Sequence, residues 1–182
     1  MKNGEFRIKV AIIATLIAFV GLFGTYKLYT IYNIEKPLLS SIQAIPEVEQ
    51  ALLIKKTQGQ YEINIKLAQV ANIQAKYEEI DKMAQKKIRT GNYEIKIDDN
   101  RNASLSQFYD YAQLAVLQAS ADNQFLWLNQ TLQQKAKNSG VSCSLRVDEE
   151  RIYIQARDGK SYLYIIMPHH VIKTAPEGEK VS

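Results

Sequence analysis

Residues 10–26 of this chain read VAIIATLIAFVGLFGTY and carry no charged side chain. Such a run either crosses lipid or disappears whole into a core. At 1.5 Å rise per residue, a helix needs roughly 20 mostly apolar residues to span a bilayer. The run is slightly short, but Leu28, Tyr29, Ile31 and Tyr32 extend it. Lys27 is the one interruption, and its long stem lets the ammonium reach the headgroups. Tyrosine rings suit the interface between lipid and water, so Tyr26, Lys27, Tyr29 and Tyr32 are the expected membrane-interface anchors. Nothing downstream looks able to cover a helix apolar on all faces, which argues against a buried core helix. The lipid bilayer is therefore the first expected partner, and residues 10–32 the expected transmembrane segment.

The sequence also bears on whether that segment is retained. Signal-peptide cleavage wants small residues in an Ala-x-Ala-like pattern after the apolar core. Thr25-Tyr26-Lys27-Leu28-Tyr29 offers none, so an uncleaved signal anchor is expected. Lys2, Arg7 and Lys9 precede the run against Glu5 alone. By the positive-inside rule, residues 1–9 form a cytoplasmic stub of a cell-membrane protein and the chain beyond Tyr32 lies outside.

The net charge of +4 says little about partners. Residues 1–30 account for +3 of it and residues 31–182 for +1. Phosphate binding along a nucleic acid needs a concentrated basic surface, so nucleic acid is not an expected partner. Cys143 is the single cysteine, which rules out an internal disulfide. Its alternation with Leu145 and Val147 places it on one face of a strand, as a small buried hydrophobe or as a thiol for an intermolecular disulfide.

Beyond the anchor, residues 33–36 read as a short polar tether. Pro37 suits the first turn of a helix, with Leu38, Leu39, Ile42 and Ile45 at helical spacing, and Pro46 ends it. Residues 48–56 fit a strand or a helical turn, and a hairpin with the next segment is preferred. Tyr61, Ile63, Ile65 and Leu67 alternate with polar residues as in a half-buried strand, after a Gln58-Gly59 turn. Ile73, Tyr77, Ile80, Ala84 and Ile88 form one helical stripe, and Gly91 suits a left-handed cap beyond it. Tyr93, Ile95 and Ile97 again alternate.

Taken together, residues 38–98 resemble the αββαβ modules of membrane-anchored bacterial envelope proteins, the ring-building motif and the BON domain. The likeness lies in SSIQAIPEVEQALLI, GQYEINIKL and NYEIKI, with Pro46-Glu47-Val48 where such modules commonly have Pro-Gly-Val. The resemblance implies assembly or attachment and no catalytic residues.

After the loop at Asp98–Asn102, Ser104 and Gln107 suggest a capping box. A long helical stretch follows over residues 105–138, with a break expected near Ser120–Asn123. The remainder is β-rich. Strands are expected around Cys143–Val147, Ile152–Ala156 and residues 161–167, with turns at Asp148-Glu149-Glu150 and Asp158-Gly159. SYLYIIM is apolar on both faces, as in a central strand. The fold class is therefore α+β: an N-terminal transmembrane helix, an αββαβ module over 33–100, and a long helix packed with an antiparallel β-meander over 101–170, either as one domain with the module or beside it. A flexible tail is expected over 171–182.

Candidate chemistry is sparse. His169-His170 is the only histidine pair, and neighbours on a strand point to opposite sides, so a solvated strand end is expected. Asp98-Asp99 and Glu149-Glu150 lack the oxygen-ligand spacing of a calcium loop and suit turns. No nucleophile or phosphate-loop motif is present. No cofactor, no metal and no catalytic residue is assigned. Tyr153, Tyr162 and Tyr164 share one face of the last hairpin, and this aromatic face is the candidate docking surface for a partner. The expected function is non-catalytic: interaction or assembly with other envelope proteins or with further copies of the chain. The alternative is a ligand- or glycan-binding sensor that uses the aromatic hairpin face.

Overall fold

The computed structural model describes residues 2–56, 59–88 and 92–169, with side chains from Ile12 onward except that of Lys27. Gln58, Gly91, His170 and the tail 171–182 therefore lie outside the described residues, as do the side chains of the 1–9 stub.

The chain opens with helix α1, Lys2–Thr30, which runs through a π-helical turn, Ile31–Glu35, directly into α2, Lys36–Gln43. The polar tether expected at 33–36 is thus helical. Proline explains the wide turn. Pro37 has no N–H to give to Asn33, and in an ordinary α-helix its ring would press on that carbonyl. Just upstream, the Lys36 N–H reaches back five residues to the Ile31 carbonyl. A π turn holds one residue more than an α turn, which relieves the clash without breaking the rod. It also keeps Thr30, Ile34, Leu38 and Ile42, spaced by fours, on one side. Thr30, Leu38 and Ile42 are buried, and Ile34 packs partly buried beside them.

Strands β1 (Val48–Lys55), β2 (Tyr61–Leu67) and β3 (Tyr93–Asp98) form one sheet in the order β1-β2-β3. β1 pairs antiparallel with β2, so the hairpin, and not a helical turn, occupies residues 48–55. β3 lies parallel to β2 because helix α3 (Ile73–Lys87) carries the chain back between them. Asn72 caps α3, its side chain accepting the Ala75 N–H. Ile73, Tyr77, Ile80, Ala84 and Ile88, the stripe expected from spacing, are all buried in the first core with α2 and β2.

Helices α4 (Ala103–Asp122) and α5 (Phe125–Ser139) form a hairpin, broken where Asn123 adopts a left-handed φ of 54°. The cap of α4 is Asn102, whose side chain accepts the Leu105 N–H; the expected capping box at Ser104 falls inside the helix. Strands β4 (Ser142–Val147), β5 (Arg151–Asp158) and β6 (Ser161–Pro168) form an antiparallel sheet in the order β4-β5-β6. β6 is an edge strand, not a central one. It is apolar on both faces because both faces of this sheet are covered. Ile152, Ile154, Ala156, Leu163 and Ile165 face α4 and α5 in a second core. Tyr153, Tyr162 and Tyr164 enter the first core.

Hydrogen bonds stitch the two halves of the chain together. Asn100 and Tyr162 exchange backbone hydrogen bonds of 3.1 and 3.0 Å. Gln155, buried on β5, accepts the Ile73 N–H at 3.2 Å and donates to the Val70 carbonyl at 2.6 Å. Replacing one partner of a buried pair costs about 1–3 kcal/mol, because the other group stays desolvated. Gln155→Leu is therefore expected to lower the unfolding free energy of the full chain in detergent by about that amount. Denaturant titration checks it, and an unchanged midpoint would show that the stitch is dispensable.

Candidate functional site

The three hairpin tyrosines do share a face, but that face is not open. Tyr153, Tyr162 and Tyr164 are 1%, 6% and 5% exposed. Their hydroxyls are spent on the chain itself. Tyr162 donates to the Leu67 carbonyl at 2.6 Å. Tyr164 donates to the Ala68 carbonyl at 2.9 Å and accepts the Val70 N–H at 2.8 Å. Tyr153 donates to Asp148 Oδ2 at 2.8 Å, and its ring meets Tyr77 of α3 edge-on. Burial raises the titration of all three phenols above their ordinary value. The expectation of an outward docking surface is corrected. An aromatic strand face needs apolar cover, and α3 with the β2–α3 connection supplies it from within the same chain.

The residues expected to anchor at a membrane interface are Tyr26, Lys27, Tyr29 and Tyr32. Tyr26, Tyr29 and Tyr32 are exposed near the end of the apolar helix. The side chain of Lys27 lies outside the described residues. Upstream, Ile12, Ile13, Leu16, Ile17, Phe19, Val20, Leu22 and Phe23 are each more than half exposed among the described residues. Among the described residues there is one helix long and apolar enough to cross a membrane. Where it meets the folded part, a cleft of about 550 Å³ opens between α1, the end of β1 and the end of α3. Tyr26, Tyr29, Asn33 and Tyr61 line it together with Lys55, Lys86 and Lys87. Lys55 Nζ sits 6.0 Å from the Tyr26 ring centre and 5.7 Å from that of Tyr61.

On the outer face of the first sheet, sequence reasoning missed a charged cluster. Glu62 of β2 is 7% exposed. It pairs with Lys56 and with Lys96 at 2.8 Å, and accepts from Asn64 at 3.1 Å. As an alternating polar residue, Glu62 reads as a solvated strand position. The parallel register of β2 on β3, a long-range pairing, brings Lys96 onto it. The Lys56 and Lys96 ammonium groups hold its carboxyl far below its ordinary 4.5, at about 2. Its stabilisation is therefore complete above about pH 4.5 and is lost as pH falls toward 2.

Other sequence candidates are structural. His169 is buried, not solvated, with its ring 4.9 Å from Phe125 and Nε2 2.6 Å from the Asp148 carbonyl oxygen. Asp99 accepts both Arg101 bonds at 2.8 Å, which fastens the connection from β3 to α4. Asp148 accepts the Glu150 and Arg151 N–H groups at 2.8 and 2.7 Å, closing the turn expected there. Burial pulls its carboxyl up, but these N–H groups and the Tyr153 hydroxyl outweigh it and hold it low. Cys143 lies half-buried on β4, and burial pushes its thiol up to about 12. A thiol so rarely ionised is a poor nucleophile. Among the described residues, no three His, Cys, Asp or Glu side chains are grouped to hold a metal ion.

Among the described residues outside α1, the two most exposed large apolar side chains, Leu126 and Leu114, lie on the α4–α5 hairpin. Leu114, Leu117 and Leu126 are 70%, 60% and 84% exposed. Leu114 and Leu117 follow Tyr111 at three-residue steps on α4, and Lys135 of α5 lies 5.2 Å over the Tyr111 ring. Leu126 is in the first turn of α5, beside the end of α4. Their neighbours on the opposite side, such as Phe108, Val116 and Leu128, are fully buried. Comparison with family models, with curated proteins and with solved structures finds no match for the chain.

Glu62→Gln is expected to flatten the stability profile between about pH 4.5 and 2 relative to the wild type. Thermal unfolding followed across that pH range checks this. Parallel curves for wild type and Glu62→Gln would show that the cluster carries no folding energy.

Proposed function

We propose that this chain is a single-pass, membrane-anchored assembly module of a bacterial cell envelope, without catalysis of its own. The observation that carries the assembly reading is the leucine surface on the α4–α5 hairpin. Leu114, Leu117 and Leu126 stand well exposed on one helix hairpin, and exposed apolar side chains grouped in a patch mark interaction surfaces. Their natural cover is another protein: a neighbouring envelope protein or a second copy of the chain.

The anchor gives this weak surface its strength. Side chains of α1 that nothing covers are stable in lipid and costly in water, at about 25 cal/mol for each Å². Holding the folded part at the membrane confines it to a thin layer and raises its effective concentration, so modest contacts suffice. The bias of Lys2, Arg7 and Lys9 puts the N-terminus in the cytoplasm and the folded part outside. The order α2-β1-β2-α3-β3 is compatible with ring-building and BON-type modules, whose role is attachment. The glycan-sensor alternative relied on an accessible aromatic hairpin, and Tyr153, Tyr162 and Tyr164 are buried.

Exposed positions tolerate substitution, so Leu114→Glu, Leu117→Glu and Leu126→Glu together are expected to leave folding within about 0.5 kcal/mol per site. The same triple variant is expected to abolish crosslinks of the full chain in its native membrane. Crosslinks to itself alone would assign self-assembly, and crosslinks to a second protein would assign a partner. No crosslink from the wild type, or an unchanged pattern from the variant, would contradict the reading.

A further inference from the structure

The cleft at the root of α1 has a composition that the assembly reading does not use. Among the described residues, every charged side chain lining it is a lysine: Lys55 at the end of β1, and Lys86 and Lys87 in the last turn of α3. Among the described residues, none of the three pairs with a carboxylate, although Lys56, Lys66, Lys76 and Lys96 all do. Three unpaired cations around one concavity repel one another, a cost that an anion removes. The rest of the lining suits an anion with an apolar neighbour. Tyr26, Tyr29 and Tyr61 offer phenol hydroxyls beside ring faces, and Ile34 and Ile88 are apolar.

Position decides which anion. Tyr26 and Tyr29 belong to the apolar helix itself, at the end where the expected span reaches water. On the membrane reading proposed above, on which this inference rests, the cleft opens at headgroup depth. We propose that the cleft binds the phosphate headgroup of an anionic phospholipid, with Lys55, Lys86 and Lys87 as the cationic contacts. Lys55 already rests over the Tyr26 and Tyr61 rings and so stands at the mouth. The C-terminal end of the α3 dipole favours lysines there on its own, but it does not account for Lys55, which belongs to a strand. Bound lipid at this point would fix the tilt and rotation of the folded part against the bilayer.

A basic side chain at an anionic surface contributes about fivefold in affinity, and three contribute on the order of a hundredfold. The test places the full chain in nanodiscs of equal phosphatidylglycerol and phosphatidylcholine, followed by native mass spectrometry of the lipids that stay bound. Wild type is expected to retain phosphatidylglycerol preferentially. Lys55→Gln/Lys86→Gln/Lys87→Gln is expected to enter nanodiscs equally well and lose the preference, and the triple Lys→Arg variant to keep it. Circular dichroism verifies that each variant is folded. Equal retention of the two lipids by wild type, or an unchanged preference in the Gln variant, would overturn the proposal. Displacement of the lipid by millimolar inorganic phosphate would reassign the cleft to a soluble anion and overturn it equally. Failure of the wild type to enter nanodiscs at all would instead refute the membrane reading, a result separate from any lipid preference.

Discussion

The structure depends on one continuous helical rod, apolar and exposed over its first part and buried over its last. Its first part leaves Leu16, Ile17, Val20 and Phe23 each more than half exposed, while its last part buries Leu38 and Ile42 completely. A flexible hinge between the two would let the folded part swing freely from its anchor. The chain instead inserts a π turn ahead of Pro37, which absorbs the missing N–H and keeps the buried stripe in register. The apolar helix and α2 are thereby one unbroken helical piece.

The second constraint is the covering of the C-terminal sheet. A three-stranded sheet with one face on a helix hairpin normally leaves the other face wet. Here that other face carries Tyr153, Gln155, Tyr162 and Tyr164, and the first half of the chain closes over it. The phenol hydroxyls and the Gln155 amide satisfy backbone groups of the β2–α3 connection that burial would otherwise strand. Two cores are thus locked through polar groups placed on apolar bodies, which aromatic residues with a hydroxyl supply well. The outer side of α4 and α5 and the lysine cleft remain open, and these surfaces carry the functional proposals.

Local pattern made much of this legible. The uncharged run, the alternation in β2 and β3, the stripe of α3 and the break near Asn123 all follow from spacing and turn chemistry that a few neighbouring residues contain. What stayed hidden is long-range. Alternation marks Tyr162 and Tyr164 as one face but cannot say whether solvent or the chain's other half meets it. Glu62 looks solvated until the parallel pairing of β3 brings Lys96 to it. His169 looks like a frayed strand end until Phe125 packs on its ring. The lysine cleft is assembled from residues 55, 86 and 87 against 26 and 29, a juxtaposition no local window contains. Lys36 and Pro37 suggested a tether and a new helix, because the compensation by a π turn depends on packing by Thr30, Ile34 and Leu38.

The central claim is that α1 resides in lipid with the folded part outside the cell membrane. The most direct measurement expresses the full chain in a bacterium, extracts the membranes with alkaline carbonate, and treats intact spheroplasts with protease. The account predicts a chain that stays in the carbonate-washed pellet and loses the segment beyond Tyr32 to external protease, with a small fragment containing α1 protected. Release into the alkaline supernatant, or a folded part shielded from external protease yet digested once the membrane is opened, would contradict it.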